Sequence, residues 1–238
     1  MKVGNIMNND KIEKIMELDR KIESVVMKTT SCFCFGEKQN LNKYDRQVLE
    51  YYQEILNLII EITKEEGIKN VELIDNKYFN VENTASMMIE GYMSVLQFYG
   101  NIDREIMKKE IQVINQIQEN LELDNDFEIK NKIEIANCYF HIGDENKARN
   151  LILDFINYNP DEDEAYMCMQ NWYMYDKPDI NKLAEVIDFA ERNKHILITD
   201  FGYDKLVKFY DSIGDIENKK KYQELYDKWK NNRTTIEF

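Results

Sequence analysis

From Lys132 the chain reads Ile135, Ala136, Tyr139, Gly143-Asp144, Ala148 and, after eleven intervening residues, Pro160. Three- and four-residue spacing on either side of a Gly-Asp pair is the order of two helices joined by a tight turn. Gly143 supplies the left-handed residue that ends the first helix, and Asp144 is placed to cap the second. Pro160 then stops the second helix.

The spacing recurs. Tyr166, Met169, Gln170 and Tyr173 repeat the order of Lys132, Ile135, Ala136 and Tyr139 with a shift of 34 residues. Tyr203, Leu206, Val207 and Tyr210 repeat it again and are followed by Gly214-Asp215, which lie 71 residues beyond Gly143-Asp144. That distance is two periods and a short insertion, placed near Lys177-Pro178-Asp179, where Pro178 forces a turn and Asp179 caps a helix carrying Leu183, Ala184, Ile187 and Ala190. A weaker unit reads Ile89, Tyr92, Met93, Leu96, Gly100 and Asp103.

This order resembles the tetratricopeptide repeat, most closely over 129–162. The resemblance implies an all-α fold, a right-handed α-solenoid of TPR-like antiparallel helix pairs with an N-terminal helical segment. It gives Ala136 and Ala148 the role of letting two backbones approach, with Tyr139 above them. The segment is expected over 1–83 and the repeat region over 84–238, with units at about 86–120, 129–162, 163–197 and 200–233. Lys219 and Gln223 depart from the family's small and aromatic preferences, as a terminal repeat facing water does.

Composition agrees with helices. Eight Gly and two Pro in 238 residues leave room for long helices and short turns. The N-terminal segment predicts a helix from about Asp10 to Met27, then a break, then a long helix from near Asn42 or Asp45. The apolar stretch Ile55–Ile62 contains Asn57 and Glu61 and is far shorter than the roughly 20 residues a membrane span needs, so it reads as a buried helix. The polar N-terminus lacks the apolar segment of a signal peptide, and the expected location is cytoplasmic.

With 45 acidic and 31 basic side chains, the net charge of -14 opposes generic nucleic-acid binding. Lys108-Lys109 and Lys219-Lys220-Lys221 sit among acids and read as solvated helix faces, and Asp161–Glu164 suits a helix N-terminus. No enzyme chemistry is expected. The two histidines, His141 and His195, lie in no metal-ligand pair and beside no nucleophile, and no Gly-rich phosphate loop is present. Cys32, Cys34 and Gly36 faintly resemble a zinc motif, but a tetrahedral site needs four ligands and none follows nearby, so no metal or cofactor is expected.

Binding remains, through a protein or peptide partner. In peptide-binding tetratricopeptide proteins an Asn on the first helix contacts the ligand backbone, and the resemblance carries that role to Asn137 and Asn171. Lys208, with Lys205 one turn earlier, holds the third unit's place and is suited to a carboxylate; Phe140, Met174 and Tyr175 are candidates for side-chain pockets. Two readings follow: a non-catalytic adaptor, or a bacterial regulator in which the repeats sense a signalling peptide and 1–83 is a protein-targeting effector module. The oligomeric state is open.

Overall fold

The structure, a computed structural model, describes residues 3–29, 41–79, 83–193 and 201–234. Among the described residues the regular elements are all helical. The chain separates into two compact units, Met1–Asn131 and Lys132–Phe238. Cys32, Cys34 and Gly36, and also His195, lie outside the described residues.

The first unit holds α1 (Val3–Thr29), α2 (Lys43–Glu66), α3 (Val71–Tyr78), α4 (Ala85–Gly100), α5 (Arg104–Asn120) and the first turns of α6 (Asn125–Ile142). The helix predicted from Asp10 starts earlier, at Val3, because no proline stands in the polar stretch before it to stop it. Ile15, Leu18, Ile22 and Val25 recur at helical spacing and are buried, and α1 packs on α2. The two run antiparallel: Lys11 near the start of α1 reaches Glu61 at 3.3 Å and Glu65 at 2.6 Å near the end of α2, and Lys14 pairs with Glu54.

Helix α2 starts where the chain predicts it. Asn42 Oδ1 accepts from the Asp45 N–H while Asp45 Oδ2 accepts from the Asn42 N–H, a reciprocal capping box. Within Ile55–Ile62, Ile55, Leu56, Ile59, Ile60 and Ile62 are buried while Asn57 and Glu61 face water. No helix among the described residues is long and apolar enough to cross a membrane. Asp75 of α3 accepts from the Ala85 N–H at 2.6 Å and from Ser86 Oγ at 2.5 Å, which fixes the start of α4. Asp103 caps α5 as its place in the weak unit suggests, but Gly100 is the last residue of α4, with Met107 so close that a Cβ would sit 3.1 Å from its Cγ.

The second unit holds the rest of α6, then α7 (Glu145–Tyr158), α8 (Asp163–Asn171) continuing into a π turn (Trp172–Asp176), α9 (Ile180–Arg192), α10 (Phe201–Ser212) and α11 (Ile216–Thr234). Short turns join α6 to α7, α7 to α8, the π turn to α9, and α10 to α11. The predicted punctuation is present. Gly143 has φ of +104°, Asp144 accepts from the Lys147 N–H at 3.3 Å, and Asp179 caps α9. Ala136 and Ala148 are fully buried, as are Leu183, Ile187 and Ala190.

Contacts between hairpins repeat with a near-constant offset. Second helices meet second helices: Arg149 of α7 reaches Glu185 of α9 at 3.2 Å, 36 residues on, and Asp188 of α9 accepts from Tyr222 of α11 at 3.2 Å, 34 residues on. First helices meet first helices: Trp172 donates to Asn137 of α6, 35 residues back, at 3.0 Å. Just before the predicted insertion near Lys177-Pro178-Asp179, the helix widens from Trp172, directly after α8. The Lys177 N–H bonds to the Trp172 carbonyl at 2.8 Å, an i to i−5 closure that winds more chain into one turn.

Candidate binding cleft

Helix α6 and the α8–π segment lie side by side in the second unit and leave a cleft of about 540 Å³ between them. Its lining follows helical spacing around the two predicted asparagines. On α6, Glu134 and His141 stand three residues before and four after Asn137; on the other side, Cys168 and Tyr175 stand three before and four after Asn171. Each set is therefore one stripe of one helix face.

Packed beside these stripes is an aromatic cluster. Phe140 and Trp172 stack with centroids 4.6 Å apart and planes 5° from parallel, and Tyr173 meets Phe140 edge-on at 5.8 Å. Phe140 is completely buried and Met174 is 5% exposed, so both are packing residues rather than pocket walls. The Lys177 ammonium lies over the Phe140 ring at 4.4 Å and donates to the Phe140 carbonyl at 3.1 Å, closing the π turn onto α6.

The asparagines differ. Asn137 Oδ1 accepts from the Trp172 indole at 3.0 Å and from the Cys168 thiol at 3.9 Å, and its Nδ2 donates to Glu134 at 3.3 Å. Its amide is thus spent within the fold. Asn171 is exposed, and no side-chain hydrogen bond engages it among the described residues. Tyr175 is 61% exposed at the same rim, with the Lys205 ammonium 5.9 Å from its ring centre. Lys205 itself donates to the Met174 carbonyl at 2.8 Å, and Lys208 is exposed and paired with Asp204 at 2.6 Å. Of the seven predicted residues, the cleft brings together Asn137, Asn171 and Tyr175.

Electrostatics in the cleft is set by carboxylates. His141, whose place at the end of α6 suits a helix C-terminus, stands 3.6 Å from Asp176 Oδ2. Burial pushes the Glu134 carboxyl above the usual carboxylate range, against the donors Asn137 and Cys138, which pull it down. Burial raises the Cys168 thiol strongly, and the charges of Glu134 and Asp176 add to that. Cys168 therefore stays protonated and is not an activated nucleophile. Glu134, Cys168 and Asp176 were missed as site residues, although the three- and four-residue spacing about the asparagines points to the first two.

No protein-family model matches the chain, and no match to a curated protein was found.

Proposed function

We propose that the chain is a non-catalytic, TPR-like adaptor that holds an extended segment of a partner protein or a peptide in the α6–α8 cleft. In this reading the helix pairs continue as a right-handed α-solenoid whose first helices face the ligand, and the protein acts in the cytoplasm without nucleic acid or membrane. The observation that carries it is Asn171, an exposed amide at the position where such repeats contact a ligand backbone, at the rim of a cleft large enough for several residues. Hairpin contacts repeating at offsets of 34 to 36 residues support the repeat reading.

The test is selection of linear peptides on the purified chain, followed by titration of the best binder against Asn171→Ala. Loss of one hydrogen bond to a ligand backbone predicts roughly a 2- to 12-fold weaker complex with unchanged thermal stability. If no peptide is selected, or the selected peptides bind Asn171→Ala as tightly as the parent, the adaptor reading of this cleft is wrong.

A further inference from the structure

We propose a separate ligand site in the second unit, between α7 and α9, that takes a small free acid: a monocarboxylate held by Arg192, with a hydrocarbon body lying along α9. It shares no lining residue with the α6–α8 cleft and does not depend on what that cleft binds.

A cavity of about 340 Å³ is lined by residues of α7, α8, the π turn and α9. On α7, Arg149 and Leu153 stand four residues apart; on α9, Glu185, Val186, Phe189 and Arg192 follow at helical spacing, so each helix gives the cavity one stripe. Its apolar lining is Leu153, Met169, Val186 and Phe189. Met169 and Val186 are buried, while Leu153 and Phe189 are half-buried and keep apolar surface that a ligand can cover. At a rise of about 1.5 Å per residue, the α9 stripe runs about 10 Å from Glu185 to Arg192. The space is at the small end of ligand cavities, which suits a small molecule.

The charges around the cavity leave one group unanswered. Glu185 accepts from Arg149 at 3.2 Å, an ion pair that ties α9 to α7 at one end of the stripe. Asp188 accepts from Lys221 at 2.6 Å and from Tyr222 at 3.2 Å. Arg192, at the other end, pairs with no carboxylate among the described residues, and its guanidinium carbon lies 5.9 Å from the centre of the Phe189 ring. In a chain of net charge -14 this is a local surplus of one positive charge beside an apolar lining. A guanidinium matches a carboxylate with two parallel hydrogen bonds. An ammonium is repelled by Arg192, and a phosphate dianion exceeds the surplus and meets Glu185 and Asp188. A neutral hydrocarbon leaves the guanidinium unengaged. A peptide C-terminus brings amides for which Leu153, Val186 and Phe189 offer no side-chain hydrogen bond. A free acid with a hydrocarbon body answers both the cation and the apolar side chains.

The full chain is titrated at neutral pH with octanoate, octanamide, octylammonium and N-acetyl-glycyl-leucine, while the methyl resonances of Leu153, Met169 and Val186 are followed by NMR. The expected result is saturable octanoate binding that shifts those methyls, with the other three probes at least tenfold weaker. Arg192→Gln should weaken octanoate at least tenfold, because it removes a charge-assisted bond, and should leave the melting temperature unchanged, because the side chain is exposed. No saturation at millimolar octanoate, shifts confined to other residues, equal binding of octylammonium, or parent-like affinity of Arg192→Gln overturns the proposal. Equal binding of N-acetyl-glycyl-leucine overturns the free-acid assignment in favour of a peptide C-terminus. The comparison among the four probes uses the parent chain and decides the matter even if Arg192→Gln does not fold.

Discussion

Asn137 and Asn171 hold equivalent places in successive hairpins, yet the first serves the fold and the second faces water. Replacing Asn137 by Ala strips the acceptor from the Trp172 indole, a group on a residue only 1% exposed. An unsatisfied buried donor of this kind costs about 1–3 kcal/mol, so Asn137→Ala should lower the unfolding midpoint in urea clearly. Asn171→Ala should stay within about 0.5 kcal/mol of the parent, as exposed substitutions usually do. Equal effects in chemical denaturation would mean that the two amides are not divided in this way. The division was not legible in the sequence. Spacing places both asparagines on the same helix face, but the indole that claims Asn137 arrives from 35 residues away, and only packing reveals it. The same holds for Glu134, whose raised carboxyl depends on burial rather than on its neighbours in the chain.

At the scale of the helix, the placing of α7 rests on a small buried side chain and on one turn. Ala148 is fully buried, and Ala148→Leu forces three extra carbons into its packed surroundings at a cost of about 1–3 kcal/mol. A midpoint unchanged within error would show that α7 does not pack there by its alanine face. Gly143→Ala puts a Cβ on a residue with φ of +104° and should cost roughly 1–2 kcal/mol, measurable in the same denaturation series. These positions were readable in advance because a cap or turn is a local decision, made by Gly143, Asp144 and Asp179 within a few residues of where they act. The π turn was not. An i to i−5 closure has no residue signature, so the extra length was placed at Pro178 although the widening starts at Trp172. Gly100 shows the opposite failure. Its position suggested a turn glycine, but it serves close approach to Met107.

Charge governs the molecule as a whole, and it predicts where on the pH scale the chain is most stable. Two groups of carboxyls act in opposite directions. Glu66 is held below the usual range by Lys77, then by Tyr78 and Asn8, and Glu145 by Lys182, then by Tyr173. Their stabilisation is present above the unfolded value of about 4.3 and is lost as pH falls through the lower folded values. Glu134, raised by burial, binds its proton more tightly when folded, so stability declines as pH climbs from about 4.3 toward its folded value. A net charge of -14 at pH 7 adds self-repulsion that grows over the same interval. Both descents leave a maximum on the acid side of neutral, near the shared unfolded value of about 4.3 and the isoelectric point near 4.7. Calorimetry at constant ionic strength from pH 3.5 to 9 should show it, and variants separate the limbs. Lys182→Met should flatten the acid limb, because Glu145 then titrates nearer its unfolded value. Glu134→Gln should flatten the descent toward neutral pH and leave the acid limb alone, since an amide keeps the place of the carboxyl without its charge. A parent profile that peaks above pH 7 would mean that the paired carboxylates outweigh both the buried acid and the repulsion among the 45 acidic side chains.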